Sequence, residues 1–308
     1  MVLFLLVVVL GLVAIVAIAF VRFDRVPAQL EAKYAGPPSR FVEAGGIRFH
    51  IRDRGTGPAL VLLHGQSANF MVWEPAAERL ARHRRVISVD MPGHGLTGPD
   101  PVARYGVAQM ADSLDALVVA LGLERFALAG NSLGGGVSEE YALAHPDRLT
   151  ALLLLDPIGP PIVASWLSRL LAVLIFGTGA VFHGFTPRWM IRIILSTAFG
   201  DRSRMTAADV DSIYELLLRA GNRDAQRQTI AGALDPTLPG RIGGITPPTL
   251  LIWGSRDSWI SPRHADWFAA LLNGLTVQIF EGIGHQPMLE DAAATVAAME
   301  SFLDAHGG

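Results

Sequence analysis

The stretch LAGNSLGGG, residues 128–136, sets one serine among four glycines, directly after the apolar run Phe126 to Ala129 and directly before a segment of helical period. Each glycine weakens a helix interior by about 0.5–1 kcal/mol relative to alanine, so helix stability did not select these four. Gly130-Asn131-Ser132-Leu133-Gly134 instead matches G-x-S-x-G, in the context of strand before and helix after that gives the pattern its meaning. In such a turn the serine takes a strained backbone conformation, and its neighbours lack side chains because chain segments pack closely there. A glycine-rich turn without chemistry is the alternative, so the weight falls on partners elsewhere in the chain.

Working outward, short apolar runs recur at Leu60 to Leu63, Val86 to Val89, Phe126 to Ala129, Leu149 to Leu155, Thr249 to Trp253 and Leu275 to Phe280. Between most of them lie amphipathic stretches of helical length: Trp73 to Ala81, Val107 to Leu121, Ser132 to Ala144, Pro262 to Leu272 and Ala292 to Phe302. Continuous apolar strands alternating with helices predict an α/β fold with a mostly parallel sheet buried on both faces. Upstream, Arg40 to Ala44 and Ile47 to Asp53 flank Gly45-Gly46, a hairpin signal. The rhythm stops between Ile158 and Ile245. There Trp166 to Phe176, Pro187 to Thr197, Ala207 to Ala220 and Asp224 to Ala233 are helical in period with no strands between them, which predicts a helical cap inserted into the sheet domain. The expected division is a core of residues 40–157 and 246–308 with a cap of residues 158–245.

A serine hydroxyl is a poor nucleophile until a base takes its proton, and the base needs an acid to orient it. Of nine histidines, His285 stands in a loop, Glu281 to Pro287, after the last strand and before the last helix, where the sheet edge carrying Ser132 would place it. His83 and His264 have the look of solvated helix residues, His145 of a helix end and His183 of a cap residue. Two acids sit at strand ends, Asp257 after LLIWGSR and Asp156 after LLLL. Asp257 gives the order Ser, Asp, His expected of this arrangement, whereas Asp156 begins the turn at Pro157. The backbone N–H groups of Leu133 and of Gln66, in the loop His64-Gly65-Gln66, are the candidate oxyanion donors, with His64 bracing that loop.

Composition narrows the partners. Charged residues are 17% of 308 and the net charge is -3, so no basic face argues for nucleic acid. There is no cysteine, which removes disulfides, thiolate nucleophiles and cysteine-bound metals. Residues 1–21, MVLFLLVVVLGLVAIVAIAFV, carry no charge, and at 1.5 Å per residue they span about 30 Å, a hydrocarbon core. They read as an N-terminal transmembrane helix and single-pass anchor. The rival is a signal peptide cut after Ala17-Ile18-Ala19, which would leave a secreted or periplasmic protein. Arg22 and Arg25 are interrupted by Asp24, so sidedness stays open. Residues 22–39, polar and broken by Pro27, Pro37 and Pro38, read as a linker.

Taken in order, His64-Gly65-Gln66, Asp90-Met91-Pro92-Gly93-His94-Gly95, Gly130 to Gly135, Trp253-Gly254-Ser255-Arg256-Asp257 and Gly284-His285 resemble the motifs of α/β-hydrolase-fold enzymes with a cap, from about Arg40 to the end. The resemblance implies acyl transfer to water: Ser132 as nucleophile, His285 as base, Asp257 as its partner, Leu133 and Gln66 at the oxyanion, and no metal or organic cofactor. Haloalkane dehalogenases and epoxide hydrolases carry an aspartate at the elbow, so Ser132 argues against both. Asn131 is similar to the branch that cleaves carbon–carbon bonds in ring-fission products, but that branch has a tryptophan where this chain has Gln286. The expected activity is hydrolysis of small, apolar carboxylic esters, with cap residues Trp166, Leu167, Leu170, Phe176, Phe182, Phe185, Trp189 and Met190 either lining an acyl pocket or packing the cap. Carbon–carbon or thioester hydrolysis on the same triad is the first alternative, and a non-catalytic binding protein of the same fold the second.

Overall fold

The structure, a computed structural model, describes residues 22–159, 186–232 and 235–306 together with Gly11 and Gly184. The anchor segment apart from Gly11, the expected helix Trp166 to Phe176, and Phe182, His183 and Phe185 lie outside the described residues. Among the described residues no helix is long and apolar enough to cross a membrane.

Among the described residues eight strands form one sheet: β1 (Ser39–Ala44), β2 (Ile47–Arg54), β3 (Ala59–Leu63), β4 (Arg85–Val89), β5 (Phe126–Asn131), β6 (Leu149–Leu155), β7 (Thr249–Gly254) and β8 (Thr276–Phe280). Their order is β1-β2-β4-β3-β5-β6-β7-β8, with β1 and β2 antiparallel to their neighbours and every pair from β4 to β8 parallel. The mostly parallel sheet is therefore present as expected. Ala44 pairs with Ile47, and the two-residue loop between them is Gly45-Gly46, both at positive φ, as a type I′ hairpin requires.

The apolar runs are continuous because alternate residues feed two separate cores. Val61, Leu63, Leu128, Leu152, Leu154, Leu251 and Trp253 pack on one face, while Leu60, Leu62, Ala127, Ala129, Leu153, Leu155, Leu250 and Ile252 pack on the other. Helices α3 (Val107–Ala120) and α4 (Leu133–Ala144) cover the first face, and α2 (Glu74–Leu80) and α11 (Ala292–Ala305) the second. β5 lies in the middle of the parallel strands, so whatever follows it is held on both sides by paired backbone.

Two expectations are corrected. The region read as a linker contains an eight-residue helix, α1 (Pro27–Tyr34), with Pro27 at its first turn where a missing N–H costs nothing. It is anchored by Leu30, buried against Phe70, Leu96 and Leu216, and by Glu31 to Arg48 and Lys33 to Glu215 ion pairs. His264 is partly buried against the Trp253 ring, with centroids 6.1 Å apart, and is not a solvated residue.

Between β6 and β7 the described residues contain helices α5 (Arg188–Ala198), α6 (Ala207–Leu217), α7 (Asn222–Gly232) and α8 (Leu238–Arg241) and no strand. α5 and α6 share a small core of their own built from Ile191, Leu195, Val210, Ile213 and Leu217. Trp189 is 50% exposed, so within the described surface its ring is not buried in a pocket.

Glu139, on α4, is fully buried with neither carboxylate oxygen hydrogen-bonded. Burial, and secondarily the neighbouring Glu140, push its carboxyl well above the usual range. A carboxyl with a folded pKa raised above its unfolded value binds its proton more tightly when folded, so stability falls as pH climbs past the ordinary value. Glu139→Gln is therefore expected to raise the thermal unfolding midpoint at neutral and alkaline pH, with a gain that shrinks toward pH 4.5. A gain independent of pH would show that the charge is not the cause.

Candidate active site

Ser132 follows β5 and precedes α4 with φ 53° and ψ -115°, a left-handed conformation that costs a non-glycine residue about 1–3 kcal/mol and persists only where the surroundings enforce it. The surroundings are visible in the flanking glycines. A Cβ at Gly130 would lie 2.1 Å from the Gly134 carbonyl oxygen, and one at Gly134 would lie 2.6 Å from the carbonyl oxygens of Leu63 and His64. The turn is thus pinned between α4 and the end of β3. The Ser132 N–H donates to the Leu155 carbonyl and the Ser132 carbonyl accepts from Gly136 and Ile158, which fixes the residue from both strand and helix sides.

The loop after β3 comes up beside it: a Cβ on Gly65 would sit 3.1 Å from Ser132 Cβ. His64 is fully buried and ties this loop down. Met91 N–H donates to its Nε2 at 3.1 Å, so Nδ1 carries the proton and donates to the Gly65 carbonyl at 2.8 Å. Burial holds its pKa below the usual imidazole value, consistent with that neutral ring. Gln66, the next residue, is partly buried, with its side-chain nitrogen 3.4 Å from the Gln226 carbonyl on α7. Leu133 is the first residue of α4, so its N–H has no intrahelical acceptor and faces the same end of the sheet.

Asp257 and His285 are brought together across 28 residues. Asp257 Oδ2 accepts from His285 Nδ1 at 2.7 Å, while its Oδ1 accepts the N–H groups of Trp259 and Ile260 at 2.7 and 3.0 Å. Nδ1 therefore holds the ring proton, and Nε2 keeps its lone pair; it is buried and without a hydrogen-bond partner. The Trp259 ring centroid lies 5.0 Å from that of the imidazole, and Trp259 donates its indole N–H to Thr197, so an aromatic neighbour that is itself hydrogen-bonded packs beside the imidazole.

Two side chains, those of Asn131 and Glu290, and one backbone bond hold these parts in register. Asn131 Nδ2 donates to the carbonyls of Leu155 and His285, both at 3.0 Å, joining the serine turn to the histidine loop. Glu290 accepts the N–H groups of Gly200, Asp201 and Gly284, joining that loop to the end of α5. His285 N–H itself donates to the Ala198 carbonyl at 2.6 Å. Asn131 was legible as part of the elbow motif, but its bonding partner 154 residues away was not; Glu290 carries no local signal at all.

The second acid, Asp156, is also here. It is fully buried with φ 44°, accepts the Gly254 N–H at 2.9 Å, and is not bonded to His285. Asp156, Asp257 and His285 present ligand-type atoms within 4.8 Å of one another, the arrangement among the described residues suited to a cation, but the Asp257–His285 hydrogen bond already occupies it.

A family profile described as the alpha/beta hydrolase fold matches residues 58–174. An uncharacterized protein of Mycobacterium tuberculosis is 30% identical over 289 residues, 88% of this chain and 82% of that one. This chain belongs to the α/β-hydrolase-fold family. It is also similar to a 2-hydroxy-6-oxo-2,4-heptadienoate hydrolase of Pseudomonas putida, 29% identical over 86% of this chain and 96% of that one. Among solved structures, a membrane phospholipase A described as a bacterial virulence factor superposes with a TM-score of 0.77 at 28% identity, covering 100% of both chains. Ester-cleaving and other hydrolase relatives thus stand side by side in this family.

The geometry makes one glycine decisive. A Cβ on Gly254 would lie 2.1 Å from the Gly284 carbonyl oxygen and 2.5 Å from that of Ile283, backbone atoms with nowhere to go. Gly254→Ala should push the His285 loop off the end of β7 and cost about 1–3 kcal/mol of overpacking, read as a lowered denaturation midpoint. An unchanged midpoint would mean that the loop is not held against β7.

Proposed function

We propose that this protein is a serine hydrolase that cleaves carboxylic esters through Ser132, His285 and Asp257. The observation that carries the reading is His285: bound to Asp257 through Nδ1, it keeps an unpartnered Nε2 on a loop that Asn131 ties to the serine turn. In the reaction, Nε2 takes the Ser132 proton as Oγ attacks the ester carbonyl carbon. The Leu133 and Gln66 N–H groups stabilise the oxyanion, and His285 then protonates the departing alcohol. Water, deprotonated by the same Nε2, attacks the acyl carbon; the bond to Ser132 Oγ breaks, Nε2 returns its proton to Oγ, and the acid is released. Asp257 holds the ring through Nδ1 and stabilises the imidazolium. No metal or organic cofactor enters any step.

Residues 158–245 act in this reading as a cap, and residues 1–21 as a membrane anchor that places the site near lipophilic substrate. The segment that follows residues 1–21 is fastened to the proposed cap: Arg22 N–H donates to the Gly184 carbonyl, and Asp24 pairs with Arg223 at 2.6 Å. Gln286, in place of the tryptophan of carbon–carbon hydrolases, favours esters over ring-fission products.

The test is labelling with a fluorophosphonate, followed by a panel of p-nitrophenyl esters of increasing acyl length. Parent protein should be labelled and should turn esters over, while Ser132→Ala should lose labelling and at least about 10³-fold in kcat. Turnover of a vinylogous diketone with no ester turnover would replace the ester reading with carbon–carbon cleavage. A folded parent that takes no label would overturn the nucleophile assignment.

A further inference from the structure

Two buried carboxyls meet at the ends of β6 and β7, and one charge is all that the site provides for. Asp257 receives three hydrogen bonds, from the Trp259 and Ile260 N–H groups and from His285 Nδ1. Asp156 receives one, from Gly254 N–H to Oδ1, while its Oδ2 is buried without a donor. A third carboxylate, Glu290, lies close by and takes three backbone N–H groups of its own. Donors favour the ionised form, and a neighbouring like charge in a desolvated site disfavours a second one. The proton of the pair therefore belongs on Asp156.

We propose that Asp156 is a neutral carboxylic acid that gives its O–H as a fourth hydrogen bond to Asp257 and so positions the Asp257–His285 pair. The O–H is a strong donor to a carboxylate, and it uses the one oxygen of Asp156 that the backbone leaves unserved. Burial, the Asp257 charge, the hydrogen bond to Asp257 and the more distant Glu290 all push the Asp156 carboxyl well above its usual range; the Gly254 N–H opposes them and is outweighed. Asp156 also sits at a φ of 44° at the end of β6, a strained backbone for a non-glycine residue. Asp156 touches no reacting atom; it acts through Asp257.

This inference rests on the proposed triad, and the experiment separates the two. Asn presents an N–H donor and a carbonyl acceptor in the shape of a protonated Asp, so Asp156→Asn reproduces the neutral acid, while Asp156→Ala removes the donor. With fluorophosphonate labelling and kcat/KM on a short-chain p-nitrophenyl ester measured across pH, Asp156→Asn should stay within about threefold of the parent with its acid limb in place, and Asp156→Ala should fall about tenfold or more. An acid limb in Asp156→Asn displaced downward by about one unit would show that a negative charge beside His285 had been removed, and that Asp156 is ionised. Asp156→Ala matching the parent, with an unfolding midpoint confirming that it is folded, would remove the positioning role. A parent that is not labelled at Ser132 would instead sink the triad itself, whatever Asp156 does.

Discussion

Everything at the functional end of this molecule depends on Ser132 being held at a φ of 53° between β5 and α4. The strain is tolerated because close packing leaves no other path. Gly130 meets α4, Gly134 meets the end of β3, and Gly65 meets Ser132, each at distances that exclude a Cβ or nearly so. Because β5 is the central parallel strand, hydrogen-bonded to β3 and β6, the cost of the turn is spread over a backbone that cannot relax locally. The hydroxyl is thereby fixed at the sheet edge without any side chain dedicated to holding it.

The histidine side of the site has no such rigid turn and is secured by stitching. The loop that carries His285 is bonded to the serine turn through Asn131, to the end of α5 through Ala198 and Glu290, and to the loop after β7 through Asp257. Ser258 and Trp259, next to Asp257, reach Thr197 at the same end of α5. The helical insertion is thus part of the scaffold that orients the imidazole, and a change in α5 would be felt at His285 before it was felt in the core.

Electrostatics refine what packing begins. The buried carboxyls at 139, 156, 257 and 290 sit in four different environments. Asp257 and Glu290 each collect three hydrogen-bond donors, Asp156 a single one and Glu139 none. All four are buried, and the two with fewest donors, Asp156 and Glu139, are the two whose carboxyls are pushed well above the usual range.

The fold and the triad candidates were legible because they rest on short patterns. Apolar runs of strand length, helical spacing between them, G-x-S-x-G at a strand end and an acid and a histidine after the last two strands are each written within a few consecutive residues. Other features depend on which strand ends become neighbours. Helix α1 hid among prolines because its stability comes from Leu30 against Phe70, Leu96 and Leu216, not from its own period. Asn131 read as an elbow residue, but its two carbonyl partners come from β6 and from a loop far along the chain. Asp156 directly follows β6 and Asp257 follows β7 after Ser255-Arg256, and only the pairing of β6 with β7 sets the two acids side by side, with His285 Nδ1 on one and not the other. Sequence by itself determined the elements and the kinds of side chain at the sheet edge, since those follow from local periodicity and local sterics. Tertiary structure alone decided that the second acid lies beside the first, with Asp156 taking the Gly254 N–H and not the imidazole, because that bond joins segments that the chain keeps 98 residues apart.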